Sequence, residues 1–115
     1  GHEEAIYRDA MSIELQDRGY TVKTEAPVSI KYKTKKGKEM IVGSGKIDLY
    51  VMKTGKYAVI ELKTVGRILK ENSKKTKEDT KEYLQLKKYL EALNVDIGVL
   101  INFPFPPEDQ PEIIE

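Results

Sequence analysis

The apolar residues near the start of the chain recur at the spacing of a helix. Over residues 3–18 they form one stripe, which comprises Ile6, Ala10 and Ile13, with Tyr7, Met11 and Leu15 beside it. Gly19 follows directly and is a typical stop signal. The pattern predicts a first helix that packs through this stripe.

Apolar residues then recur at the spacing of strands. Residues 20–33 alternate between apolar and polar, with a break at their single proline. A lysine-rich turn leads into a returning strand over residues 40–52, in which the Gly-Ser-Gly sequence at 43–45 favours a bulge. After a second tight turn, residues 57–65 begin with a near-continuous apolar run, which predicts a central, buried strand.

A basic, polar connection at residues 66–76 separates these strands from a second helix. The helix is predicted over residues 77–93 by apolar residues at helical spacing, namely Leu86, Tyr89, Leu90 and Leu93. A last apolar strand is predicted over residues 96–103, and the acidic, Pro-rich tail from about residue 104 is expected to end the fold. The order is α-β-β-β-α-β, and its final strand–helix–strand unit implies a right-handed parallel crossover. The sequence therefore predicts a single α/β domain over residues 1–115, with a mixed central sheet flanked by two helices.

Composition restricts the chemistry that this chain can perform. It has no cysteine and one histidine, His2, which excludes a disulfide scaffold, a thiolate metal site and a histidine-based zinc site. Metal chemistry would need oxygen ligands, which favours Mg²⁺ or Mn²⁺. The apolar runs are too short to span a bilayer, so no membrane partner is expected. The N-terminus lacks the pattern of a secretory signal, so the expected location is cytoplasmic.

The net charge of +1 conceals strong segregation along the chain. Residues 1–30 carry −3, residues 31–88 carry +10 and residues 89–115 carry −6. The basic middle suits a polyanionic partner, whereas a solvated Lys/Glu surface typical of a thermophile explains the charge equally well. The candidate nucleic-acid-binding residues in this segment are Lys35, Lys36, Lys38, Arg67, Lys70, Lys74, Lys75 and Lys77.

Two neighbouring predicted strands carry the residues with the most informative chemistry. Asp48 lies on one strand, and Glu61 and Lys63 lie on the next. Because side chains alternate along a strand, Glu61 and Lys63 project from the same face. Buried unpaired charges are costly, but around a divalent cation these groups would satisfy one another and could activate water against a phosphodiester. The alternative is a solvent-facing salt bridge, since isolated Glu-x-Lys sequences are common by chance.

The order and spacing of these residues resemble the PD-(D/E)xK nuclease superfamily. Residues 85–89, Gln-Leu-Lys-Lys-Tyr, resemble the Q-x-x-x-Y motif of its RecB-type members, and positions i and i+4 share one helical face. The opening Gly-His-Glu-Glu-Ala-Ile-Tyr, residues 1–7, matches the signature of the GxxExxY family of small members. The resemblance extends to about residue 103. Two departures are the Lys-Ile that replaces the expected Pro before Asp48, and the long basic segment before the second helix.

The resemblance implies a restriction-endonuclease-like fold and a role for each matching residue. Those residues are Asp48 and Glu61 as metal carboxylates, Lys63 as the catalytic lysine, Gln85 and Tyr89 beside them, and Glu4 as a first-helix glutamate that reaches the metal. For Glu4, an interaction with the helix dipole is the alternative. For Tyr89, a core aromatic is the alternative, and for Gln85 a surface glutamine.

The function that this resemblance implies is a Mg²⁺- or Mn²⁺-dependent nuclease, with DNA as the expected substrate. The alternative is a catalytically silent domain of the same fold that binds nucleic acid or serves assembly, because a fold does not guarantee an activity. A third hypothesis is a carboxylate site whose metal has a structural role and no catalytic one. The short chain carries no recognition domain, so we expect a homodimer or a larger protein assembly to supply specificity.

Overall fold

Two helices flank a five-stranded mixed sheet in the computed structural model, which describes residues 2–65, 68–69, 76–103 and 110–115. The elements are α1 (His2–Asp17), β1 (Thr21–Lys33), β2 (Glu39–Lys53), β3 (Lys56–Lys63), a 3-10 helix (Lys77–Asp79), α2 (Lys81–Leu93), β4 (Ile97–Asn102) and β5 (Glu112–Ile114). The strands lie in the order β1-β2-β3-β4-β5, and β3 and β4 are parallel while the other neighbours are antiparallel. The predicted α-β-β-β-α-β order is confirmed. The tail does not end the fold, however, because part of it returns as β5 beside β4.

The crossover helix α2 is held between two defined ends. The Thr80 hydroxyl accepts a hydrogen bond from the backbone of the first turn, and Asn94 adopts the left-handed conformation that ends the helix. The helix begins at Lys81 and not at residue 77 as predicted, since residues 77–79 form a 3-10 helix. Gly98 of β4 allows close packing, because a Cβ there would lie 2.7 Å from Leu90 Cδ1.

The sheet buries apolar side chains on both faces. The core under α2 comprises Ala26, Val28, Ile47, Val59, Leu86, Tyr89, Leu100 and Ile114. The smaller core under α1 comprises Leu49, Val51 and Leu62, with Met11 and Leu15 of the helix packed against it. The prediction is therefore confirmed for Met11 and Leu15 but wrong for the stripe centred on Ile6, Ala10 and Ile13, since Ile6 and Ile13 are 65% and 67% exposed. Apolar residues occur around most of this helix, so periodicity alone could not identify its packed face.

Two strands change face within their length, which simple alternation does not predict. Ile47 and Leu49 are both fully buried, yet they belong to the cores on opposite faces of the sheet. The bulge expected at residues 43–45 lies one position earlier in β2, at Val42. The β1–β2 register shifts between Ile30 and Lys31, whose partners are Gly43 and Ile41. None of the helices within the described residues is long and apolar enough to cross a membrane.

Candidate active site

The candidate site lies where β2 and β3 separate. Their ladder ends at the pair Leu49 and Ile60, so the next opposed residues are Asp48 and Glu61. There the side chains replace the ladder: Asp48 N donates to Glu61 Oε1 at 3.3 Å, and Leu62 N donates to Asp48 Oδ2 at 2.8 Å. Each carboxyl group thus accepts a backbone N–H of the opposite strand. The two carboxyl groups face each other across the opened ladder.

The electrostatics of this pair favour a cation between the two groups. Glu61 is 4% exposed, and burial raises its pKa to about 8, with further contributions from the charge of Asp48 and a hydrogen bond to it. The hydrogen bond from the Asp48 N–H, and then the charge of Lys63, act in the opposite direction and lower this pKa. Without another cation the pair therefore retains a proton at neutral pH. A divalent cation would take the place of that proton and keep both carboxylates ionised.

Lys63, Gln85 and Tyr89 form a chain of hydrogen bonds next to the carboxylates. Lys63 Nζ donates to Gln85 Oε1 at 3.4 Å, and Gln85 Nε2 donates to the Tyr89 hydroxyl at 3.3 Å. Burial, followed by the charges of Glu61 and Asp48, raises the pKa of Tyr89, so its phenol stays protonated. The structure thus brings together the five residues that the sequence grouped. Tyr89 also belongs to the core under α2, so it is both a core aromatic and a neighbour of the carboxylates, which the sequence had left as alternatives.

Gly45 provides the space that Tyr89 occupies. A Cβ at this position would lie 2.9 Å from Tyr89 Cζ and closer still to the hydroxyl oxygen. The aromatic side chain of α2 therefore reaches β2 three residues before Asp48. A larger residue at position 45 would displace the ring from the site.

Arg8 and Glu25 lie beside the site, and neither is among the site residues predicted from the sequence. Arg8 Nη1 donates to Glu25 Oε1 at 3.0 Å, and Arg8 Nε donates to Asp9 Oδ1 at 3.1 Å. The hydrogen bond to Asp9 raises the pKa of Arg8 most, and the charges of Glu25 and Asp48 add to it. No sequence spacing indicates this contact, because 17 positions separate Arg8 from Glu25.

A second buried carboxylate anchors the segment that follows Lys63. Glu112 of β5 is 6% exposed, and it accepts hydrogen bonds from Asn102 Nδ2 and from the backbone N–H groups of Ile68 and Leu69 at 2.7–3.0 Å. Asn102 lies opposite Lys63 in the β3–β4 ladder and accepts the N–H of Val65. This network anchors Val65, Ile68 and Leu69, which follow the site. No local sequence pattern indicates this network, because the donors and the acceptor come from three distant segments.

The remaining candidates are dispersed. Glu4 lies in the first turn of α1 and is half-buried, but the described residues contain no group of three or more metal-ligating side chains. Its role as a ligand stays a prediction. The exposed lysines Lys35, Lys36 and Lys38 lie at the tip of the β1–β2 hairpin, whereas Lys77 donates to the backbone of Glu115 at 2.8 Å. Arg67, Lys70, Lys74 and Lys75 lie outside the described residues.

A mixed five-stranded sheet between two helices, with carboxylates where two strands separate, defines a restriction-endonuclease-like fold. The chain belongs to the PD-(D/E)XK nuclease superfamily, whose family model matches residues 1–114. It is similar in fold to SSO0001, known from a crystal structure, with a TM-score of 0.55 and 23% identity. The match covers 96% of this chain and 52% of SSO0001, so the chain spans about half the length of that protein. No curated protein matches the sequence.

Proposed function

We propose that this domain is a metal-dependent nuclease that hydrolyses phosphodiester bonds of DNA. The observation that carries the proposal is the pair of carboxyl groups facing each other where β2 and β3 separate. The oxygens of Asp48 and Glu61 that bind backbone N–H groups leave one further oxygen on each side chain. Hard divalent cations prefer such oxygen ligands. Asp48 and Glu61 would therefore hold Mg²⁺ or Mn²⁺, and we keep Glu4 as a proposed third ligand.

Each residue of the candidate site has a proposed part in the reaction. The metal, when bound, would lower the pKa of a bound water and stabilise negative charge on the phosphate. Lys63 orients the attacking water or accepts its proton through Nζ, and it also contacts the phosphate. Gln85 holds that amine from α2, and Tyr89 holds Gln85. The assignment to the GxxExxY family and the likeness to RecB-type members belong to the same proposal.

A silent binding module is the second candidate. It is favoured by the finding that Asp48 and Glu61 form a pair and not a group of three ligands within the described segments. Such a module would bind nucleic acid through the hairpin lysines without cleaving it. A nuclease and a silent module therefore differ in cleavage and not in binding.

The test is a titration of Mg²⁺ and Mn²⁺ with labelled single- and double-stranded DNA and RNA. We expect cleavage of DNA that depends on the metal concentration. The variant Lys63→Ala should lose about 10²–10⁴-fold in rate, because it loses acid–base help, and should keep its metal affinity in calorimetry. The control is Lys87→Ala, an exposed lysine of the same helix as Gln85. Salt-dependent binding without cleavage at any metal concentration would favour the silent module.

A further inference from the structure

Three acidic residues occupy one row across the first three strands. Asp48 and Glu61 are opposed where the β2–β3 ladder ends. Glu25 of β1 lies opposite Asp48 on its other side, at a position that the β1–β2 ladder omits between two regular pairs. We call Glu25, Asp48 and Glu61 the acidic row. Its negative charge would repel an approaching phosphodiester unless cations lie near it.

Glu25 holds an unusual backbone conformation within this row. Its φ of 49° lies in the left-handed region, which is strained for a residue other than glycine. The strand changes face at this point, since Val22 packs in the core under α1 and Ala26 packs in the core under α2. Such strain persists where the surroundings hold it in place. Here the result is that the Glu25 side chain meets α1.

Arg8 is the cation that meets the acidic row from α1. Its side chain is 18% exposed, whereas the carboxylates that it contacts, Asp9 and Glu25, are 62% and 55% exposed. Ion pairs with exposed carboxylates contribute little stability, so they do not by themselves explain why the Arg8 side chain is held against the acidic row. The Nε and Nη1 atoms are engaged, and Nη2 makes no hydrogen bond within the described residues. The two N–H groups of Nη2 and the second N–H of Nη1 therefore remain for a ligand.

We propose that Arg8 binds a phosphate group of the substrate beside Asp48, with Glu25 holding the guanidinium in position. The inference rests on the proposed nuclease function and adds a substrate-binding residue to it. A planar guanidinium can donate two parallel hydrogen bonds to phosphate oxygens, which a lysine cannot. The Tyr7 ring, next to Arg8 in α1, stacks on Phe103 at 3.9 Å and thereby fixes the helix over the end of β4.

The test compares charged and neutral phosphates in a binding assay. DNA oligonucleotides carrying a single methylphosphonate, which removes one negative charge, are scanned across the bound segment by fluorescence anisotropy. All proteins carry Lys63→Ala so that cleavage does not interfere. The added variants are Arg8→Met, Arg8→Lys and Glu25→Gln, and the control is Arg18→Met, an exposed arginine at the end of α1. Thermal melts report whether each variant folds.

We expect one methylphosphonate position to weaken binding by about tenfold or more while Arg8 is present. Arg8→Met should weaken binding of the unmodified DNA to the same degree and abolish the sensitivity at that position. Arg8→Lys should restore part of the affinity, and Arg18→Met should change neither. In Glu25→Gln the same methylphosphonate position should weaken binding, but by a smaller factor.

Two other outcomes distinguish failure of this inference from failure of the proposed function. If Arg8→Met folds and keeps the full methylphosphonate pattern, the Arg8–Glu25 pair is only structural and this inference is wrong, while the nuclease proposal stands. If the Lys63→Ala protein with native Arg8 does not bind nucleic acid, and the wild type does not cleave it, the proposed function itself fails, and the inference fails with it. If Arg8→Met unfolds, the inference is tested with Arg8→Lys instead, because that variant keeps the positive charge but loses the planar guanidinium.

Discussion

Replacing Glu61 by glutamine should stabilise the metal-free protein, and increasingly so as the pH rises. Burial raises the pKa of Glu61 from 4.5 to about 8, so the folded state binds a proton that the unfolded state releases. Stability from this group is fully present below pH 4.5 and is lost as the pH rises towards 8. In Glu61→Gln the amide oxygen can still accept the N–H of Asp48, and the amide nitrogen can donate to its carboxylate. The variant resembles the protonated wild type at every pH.

The magnitude follows from the pKa window. Each pH unit within it is worth about 1.4 kcal/mol, so the window from 4.5 to about 8 sets an upper limit of about 5 kcal/mol. Relaxation of the separated strands when Glu61 ionises recovers part of this cost, and we expect about 2–5 kcal/mol. That is a large fraction of the 5–15 kcal/mol typical of a whole domain, so it is readily measured.

The assay is urea unfolding in EDTA between pH 5 and pH 8.5, with Glu61→Gln, wild type and the control Glu91→Gln, an exposed residue of α2. The difference in unfolding free energy between Glu61→Gln and wild type should grow with pH, while that for Glu91→Gln stays constant. Excess Mg²⁺ at pH 8 should stabilise the wild type, by about 2.7 kcal/mol at a hundredfold excess over Kd, and the variant less. A difference that is flat with pH would refute the assignment of a buried, proton-retaining pair.

Three further substitutions test other parts of the site. Gly45→Ala should destabilise the fold by about 1–3 kcal/mol in urea unfolding and displace the Tyr89 ring, visible as a change in tyrosine fluorescence, because a Cβ there overlaps the ring; an unchanged midpoint would contradict this packing. Lys36→Glu should weaken DNA binding and reduce the salt slope by up to about one unit. Lys56→Glu, at the start of β3 and far from the tip of the β1–β2 hairpin, should change neither; equal effects would exclude the hairpin as a binding surface. Glu112→Ala should accelerate amide hydrogen exchange in the segment after β3, since it removes the acceptor of those N–H groups; unaltered protection would show that other contacts hold the segment.

Local sequence patterns predicted the elements and the pairing that places Glu61. Its strand is central and apolar, and alternation correctly put Glu61 and Lys63 on one face, towards the helix that carries Gln85. A strand period depends only on backbone geometry, so it can be read from one segment. The same holds for the i and i+4 positions of Gln85 and Tyr89.

Contacts between distant segments could not be predicted in this way. The change of face at Asp48 depends on the separation of two strands, and alternation gives no sign of it. The pairing of Arg8 with Glu25 needs the docking of α1, whose packed face the periodicity misassigned. The strand β5 is three residues long and follows a Pro-rich stretch, so it carries no pattern long enough to distinguish it from a tail.

The break at Glu25 also bears on how copies of this protein behave at high concentration. β1 is an edge strand of 13 residues, and a long straight edge offers unpaired backbone groups to any other strand. The left-handed residue bends this edge near its middle, and Pro27 lacks an N–H to donate two positions later. Lysines at 23, 31 and 33 add charge along the same edge. The distortion that brings Glu25 to Arg8 therefore also opposes edge-to-edge aggregation, and straightening it would create a surface on which a second copy could add its own strand.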